Sequence, residues 1–208
     1  MNKYFVNKIG IWADDERFIR EILVGDEYKY LCDYDTVVDL GANIGTFSLW
    51  IYDRAKRIFA VEPNPKPMEL LRKTIEDNGL DKIIPVEVAV TGTDGERFLA
   101  NTDDVVYGSG LINDKVGIVV QSMQMDTFMV EYKIGYIDLL KVDIELSEKE
   151  LFASKGFQNV AHKIGTIVGE YHNGEIQQSI KDSLTGCGFR YVDLTGANSS
   201  GKFIAKRL

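Results

Sequence analysis

Residues 36–45 read Thr-Val-Val-Asp-Leu-Gly-Ala-Asn-Ile-Gly, a β-branched run carrying one acid and then a short turn with Gly41 and Gly45 at its ends. The run predicts a strand over 36–40. Behind the turn, Thr46 to Arg54 reads as a helical segment that carries Phe47, Leu49, Trp50 and Ile51 into the core. A strand that drops into bare backbone lets a nucleoside-bearing ligand approach main-chain atoms that a Cβ would shield. The spacing narrows the ligand. A dinucleotide fingerprint places glycine at the first, third and sixth positions of such a turn, and these hold Gly41, Asn43 and Thr46. A phosphate-binding P-loop needs a lysine after its second glycine, and none is there. Neither phosphate-binding pattern fits this turn well.

The 208 residues are 45% hydrophobic, enough for one large core, so a single domain is expected. The net charge is −8, from 32 acidic against 24 basic residues, with a sequence pI near 4.9. That balance offers no broad basic field, so nucleic acid is not an expected partner. No run approaches the roughly 20 apolar residues of a membrane span, and the first residues lack the apolar stretch of a signal peptide. Cys32 and Cys187 match no metal spacing and read as reduced thiols, which points to the cytoplasm. A homo-oligomer is compatible with everything above.

Strand and helix signals alternate along the chain. The expected fold is α/β: a doubly wound, mostly parallel seven-stranded sheet with a C-terminal antiparallel hairpin, in three α/β/α layers. Residues 14–31 are expected to form a helix, so that 1–35 makes an N-terminal cover belonging to the same domain as 36–208. Further strands are expected at 57–61, 83–90, 137–144 and 166–171, helices at about 65–78 and 175–185, and the hairpin from 189–194 and 202–206. The helix over 65–78 has Met68, Leu71 and Ile75 at helical spacing and Asn78-Gly79 as its stop. Segment 96–136, with a strand expected at 117–121, is too long for a simple crossover and reads as a substrate lid.

Strand 57–61 ends at Val61-Glu62-Pro63-Asn64-Pro65, which places Glu62 at a carboxyl edge about 20 residues beyond the glycine turn. An acid there can accept two hydrogen bonds from ribose hydroxyls; the structural alternative is a solvated loop glutamate. Three ordered blocks then define a resemblance: Val37 to Leu49, Phe59 to Pro65, and Asp138-Leu139-Leu140-Lys141-Val142-Asp143-Ile144-Glu145. Together they resemble the FkbM-type methyltransferases, across most of residues 30–190. The resemblance implies a class I, Rossmann-like methyltransferase that uses S-adenosylmethionine (SAM) to methylate a hydroxyl on a small molecule, often a sugar or a polyketide. It also implies cofactor contacts at Asp39, Gly41, Asn43, Gly45, Thr46, Glu62, Pro63, Asn64, Ala89 and Asp143. One departure stands out. Family members usually continue the third block as Glu-Gly-x-Glu, and here it is Glu145-Leu146-Ser147-Glu148, which is expected to alter the acceptor or weaken activity.

The third block also has its own physical reading. Lys141, Asp143 and Glu145 alternate, so they share one face while the strand lasts and reach the carboxyl edge where α/β sheets hold ligands. Asp143 is expected beside the methyl donor and Glu145 nearer the acceptor. Lys141 pairing with Asp143, and Glu145 capping the next helix, are the structural alternatives. Strand 166–171 adds Glu170 and His172, and a neutral imidazole could take the acceptor's proton. Asp143, Glu145, Glu170 and His172 are thus the catalytic candidates. A metal-free base is preferred to a divalent ion on Asp143, Glu145 and Glu170, so no metal ligand is assigned. Two other functions are carried alongside: a non-catalytic SAM-binding or assembly module, and an NAD-dependent oxidoreductase, against which the missing glycines speak.

Overall fold

A computed structural model describes residues 2–6, 9–13, 33–100, 111–112, 117–195 and 200–208. A hairpin of β1 (Asn2–Val6) and β2 (Ile9–Ala13) comes first, followed by β3 (Tyr34–Leu40), α1 (Thr46–Ile51), β4 (Ala55–Val61) and α2 (Pro65–Asn78). Next come β5 (Ile83–Val86), β6 (Ala89–Val90), β7 (Gly95–Leu99), β8 (Leu111–Ile112), β9 (Ile118–Met123) and α3 (Met125–Glu131). The chain then runs β10 (Ile137–Val142), α4 (Glu148–Ala153), α5 (Lys155–Val160), β11 (Ile164–Tyr171), α6 (Gly174–Gly186), β12 (Phe189–Asp193) and β13 (Gly201–Arg207).

The central sheet has seven strands in the order β12-β13-β11-β10-β3-β4-β5. β11, β10, β3, β4 and β5 are parallel, and β12 and β13 add the antiparallel hairpin expected from sequence. Both faces of the parallel strands are covered, which is why they read as nearly continuous apolar runs. Strand alternation divides the core into two layers. Val38, Leu40, Phe59 and Val61 face Phe128 of α3, Leu151 and Phe152 of α4, Phe157 of α5 and Ile180 of α6. Val37, Ile58 and Leu139 face Phe47 and Leu49 of α1 and Met68 and Leu71 of α2. Asp39 and Lys141 belong to this second face, which fixes where their charges go.

α2 begins where its chemistry says it should. Asn64 caps it by accepting from Lys66 N, Pro65 opens the first turn, and Gly79 ends it at φ +62°. The β1–β2 hairpin was not expected, and its link to α2 runs through Asn78: Gly10 N donates to Asn78 Oδ1 (3.1 Å), and Asn78 Nδ2 donates to Gly10 O (2.7 Å).

Two expectations are corrected. The strand expected over 83–90 is two: β5 stops at Val86, and β6 leaves for a second, four-stranded sheet ordered β6-β9-β7-β8. Pro85, which has no N–H to donate, suits the edge strand that β5 becomes. Segment 96–136 supplies β9 where a strand was expected, together with β8, α3 and nearly all of β7, and Leu99 and Val120 bury a small core with Ala89. Its part at 101–110 and the helix expected over 14–31 lie outside the described residues, as does Cys32. Finally, β10 stops at Val142, and Glu145 adopts φ +50°, so Glu145 does not continue the strand face shared by Lys141 and Asp143. Among the described residues no helix is long and apolar enough to cross a membrane.

Candidate active site at the carboxyl edge of the sheet

The turn after β3 is closed by its own backbone: Gly41 N and Ala42 N both donate to Val61 O, at 3.0 and 2.9 Å. Its glycines answer to the protein rather than to a ligand. A Cβ on Gly41, at φ +74°, would lie 1.7 Å from Asp143 O, and one on Gly45, at φ +89°, would lie 2.4 Å from Leu71 Cδ1. Close approach is thus required, as the sequence suggests, but the approaching groups are the chain after β10 and the side of α2.

Beneath the turn lies a buried ion pair. Asp39 is fully buried, accepts from Ser48 Oγ (2.7 Å) through Oδ2, and has Oδ1 3.3 Å from Lys141 Nζ. Lys141 Nζ also donates to Gly41 O (2.8 Å) and Leu40 O (3.3 Å) and lies 3.5 Å from Asp143 Oδ2. Asp39 therefore does not line the cleft; it holds the lysine that holds the turn.

Glu62 stands opposite. Its Oε2 accepts from Asn43 N (3.0 Å) and its Oε1 from Asn64 N (2.8 Å), so the carboxylate ties the glycine turn to the end of β4. Burial pushes its carboxyl up to about 7, against the pull of those two N–H groups and of Lys141. Glu62 lines a cleft of about 630 Å³ of empty space, part of it open to solvent. Of the expected cofactor contacts, Gly41, Asn43, Glu62, Pro63, Ala89 and Asp143 line this cleft, whereas Asp39, Gly45, Thr46 and Asn64 do not. Val88 and Val90, which no reading of the sequence assigned to a site, give it apolar walls together with Leu99 and Leu111 of the 96–136 segment.

A profile described as the methyltransferase FkbM domain matches residues 39–191. The chain belongs to the FkbM methyltransferase family. Methanocaldococcus jannaschii tRNA (guanine(37)-N(1))-methyltransferase Trm5b is 41% identical over 102 residues, which cover 46% of this chain and 30% of that protein. The chain therefore spans less than a third of that relative's length. Among solved structures, the precorrin-6y C5,15-methyltransferase of Geobacter metallireducens superposes with a TM-score of 0.54 at 14% identity, covering 86% of this chain and 82% of that one. TrmK of M. capricolum, solved with S-adenosyl-homocysteine, gives a TM-score of 0.53 at 13% identity, covering 86% and 64%. These two likenesses establish the class I fold, and the family takes SAM as cofactor. The cleft of this FkbM protein fits that cofactor: Glu62 keeps acceptor capacity for ribose hydroxyls, and Asn43 Oδ1 is buried with no hydrogen-bond partner among the described residues.

Beyond Asp143 the FkbM chain gathers its remaining charges. Asp143 and Glu145 line the cleft. His172 has Nε2 3.5 Å from Glu145 Oε2 and Nδ1 3.4 Å from Glu148 Oε1. Glu170 has Oε1 3.4 Å from Lys202 Nζ. The Glu148 carboxylate, with Glu145 and Asp143 adding to it, raises the imidazole to about 9 despite partial burial. At neutral pH His172 is therefore an imidazolium, not the neutral base its ordinary value suggests. Burial and the neighbouring Asp143 charge raise both Glu145 and Glu170 above the usual carboxylate range. Glu148, fully buried, is the residue that sequence reasoning passed over. The available signal was its place as the last acid of the Glu-x-x-Glu block.

Proposed function

We propose that the protein transfers a methyl group from SAM to a hydroxyl of a small molecule such as a sugar or a polyketide. The observation that carries this reading is the continuity of two halves of one cleft: the Glu62–Asn43 side suited to a nucleoside, and the Asp143–Glu145 side dense in carboxylates. When bound, SAM supplies an electrophilic methyl group and a thioether leaving group, so the protein has only to align the acceptor and receive one proton. Asp143 stands between the two halves, where its negative charge suits the sulfonium. Glu145, its basicity raised by burial, receives the hydroxyl proton as the acceptor oxygen attacks. His172, with Nε2 3.5 Å from Glu145 Oε2, positions that carboxylate, while Glu170 is paired with Lys202 and is not among the residues that line the cleft.

A second reading, methylation of an RNA base, is favoured by the name of the 41% identical relative. Two observations weigh against it here: the acidic balance of the chain, and the carboxylates Glu62, Asp143 and Glu145 among the residues that line the cleft, which would repel a phosphate backbone. The test is calorimetric titration with SAM, S-adenosyl-homocysteine and NAD, followed by transfer of a labelled methyl group to a panel of hydroxylated sugars and polyketides beside bulk tRNA and rRNA. SAM binding with label on a hydroxyl is the expected result. Label confined to RNA bases, tight SAM binding with no transfer to any acceptor, or NAD binding in place of SAM would each overturn it.

A further inference from the structure

A fully buried glutamate with one idle oxygen is an unusual thing to find beside a reaction site. Glu148 is 0% exposed, and its Oε1 accepts from Ile144 N (3.0 Å) and faces His172 Nδ1. Its Oε2 is buried with no hydrogen-bond partner among the described residues. A buried carboxyl oxygen is ordinarily matched by a donor or a cation, and one of these oxygens is not. Within reach lie two more ligand types: one ligand atom from each of Asp143, Glu148 and His172 falls inside a sphere where all three are within 4.8 Å of one another.

We infer that Asp143, Glu148 and His172 form a binding site for a divalent first-row transition metal at the wall of the methyl-transfer cleft. Donors of one octahedral ion, each about 2.1 Å from it, stand roughly 3 to 4 Å apart, so this set closes around a cation with small side-chain movements. The choice among metals follows from the donors. Two carboxylates and a neutral imidazole suit manganese, iron, cobalt, nickel or zinc, whereas magnesium prefers an all-oxygen set, and the entering ion displaces the proton that His172 carries in the metal-free protein. The three residues leave coordination positions open. Asp143 lines the cleft, so a bound ion presents one of those positions to an acceptor oxygen, orienting the hydroxyl and making its proton easier to remove. This differs from the Asp143, Glu145 and Glu170 set considered from sequence: Glu170 is paired with Lys202, and Glu145 remains available to take the proton.

The acceptor-orienting role rests on the hydroxyl-methylation reading above; the site itself does not. The test therefore starts with no acceptor present. The full chain, stripped with a chelator and dialysed, is titrated calorimetrically with manganese, cobalt, zinc and magnesium chlorides, and the cobalt form is followed by its visible absorption. One equivalent of cobalt or manganese should bind, more tightly than magnesium. His172→Gln should weaken binding about tenfold or more and shift the cobalt spectrum, as loss of a nitrogen ligand requires. Glu148→Gln should weaken it similarly, with SAM titration and thermal melting showing that each variant is folded. Absence of saturable binding at millimolar metal, or affinities and spectra untouched by both substitutions, overturns the site. If the metal binds as described and label never reaches a hydroxyl, the acceptor reading fails and the site stands. If hydroxyl methylation runs undiminished in chelator and no metal binds, the site fails and that reading stands.

Discussion

Lys141 Nζ lies 3.3 Å from Asp39 Oδ1 on the neighbouring strand and at the same time donates to the carbonyl of Gly41 at 2.8 Å. The two residues are register partners in the β3–β10 pair, so the sheet itself brings them together. A charge network buried in the core thereby ties two strands to the turn that shapes the cleft. Removing one partner strands the other charge, which costs about 3 to 5 kcal/mol. Lys141→Met is accordingly expected to lose stability on that scale in urea unfolding and to weaken SAM binding through the loosened turn. Adding Asp39→Asn to Lys141→Met should return part of the stability but not the affinity. Full stability in Lys141→Met alone would show that the pair is not what holds the turn.

Glu62 sets a pH dependence whose direction is the reverse of an ordinary acidic residue's. Its carboxyl titrates near 7 in the folded protein, against 4.5 when unfolded. Its contribution to stability is therefore complete below about pH 4.5 and is lost as pH rises to about 7, on the order of 3 kcal/mol across the window. SAM acts the other way, because ribose hydroxyls donate best to the ionised form. Affinity for SAM should rise with pH up to about 7 and then level off, with a proton released on binding below that point. Calorimetry in buffers of different ionisation enthalpy reads the proton directly. In Glu62→Gln the pH dependence should disappear and affinity should fall about tenfold or more, since a charge-assisted acceptor is gone. An affinity that is flat from pH 5 to 8 in the wild-type protein would be incompatible with this role.

The features readable in the sequence are those with a local cause. α2 announces itself through Asn64-Pro65 at one end and Gly79 at the other. β3 and β4 do so through apolar runs that both faces of a buried strand require. Glu62 follows from its distance to the glycine turn. What escapes is non-local or too short to carry a period. α4 and α5 have six residues each, less than two turns, so no helical spacing can be expressed. The move of Ala89–Val90 into a second sheet depends on β9, some thirty residues further on, which nothing between Ile83 and Val90 encodes. His172 reads as a neutral base because its partners Glu145 and Glu148 meet it only in the folded chain. Glu148 carries no local signal of burial, because the strand ends at Val142 and only the folded turn after it brings Glu148 inside.

Two glycines with similar backbones separate sterics from conformation. Gly41 and Gly79 have φ of +74° and +62°, so an L side chain at either carries the left-handed penalty of about 1 to 2 kcal/mol. A Cβ added to Gly79 would meet nothing within 4 Å, whereas at Gly41 the same atom would lie 1.7 Å from Asp143 O. Gly79→Ala should thus cost only the conformational amount and leave SAM binding intact. Gly41→Ala must push the β3 turn away from the chain after β10, and is expected to lose at least about 3 kcal/mol together with SAM affinity. Equal destabilisation of the two variants in urea unfolding would mean that the contact with Asp143 carries no energy.

Leu146 sits where family members usually have glycine, and its backbone shows what that glycine is for. Its φ is +74°, next to Glu145 at φ +50°, so two consecutive side chains are held in the left-handed region. Leu146 is 61% exposed, which means that little burial compensates for the strain. Replacing it with glycine removes the Cβ clash at the cost of extra freedom in the unfolded chain, and the clash is the larger of the two. Leu146→Gly is therefore expected to stabilise the protein by about 0.5 to 1 kcal/mol, seen as a higher melting temperature. The same substitution clears a side chain from the rim next to Glu145, and should widen the range of acceptors methylated while leaving SAM affinity unchanged. A lower melting temperature would show that the leucine packs usefully against a segment of this chain, and that the departure from the family pattern is structural rather than a feature of acceptor choice.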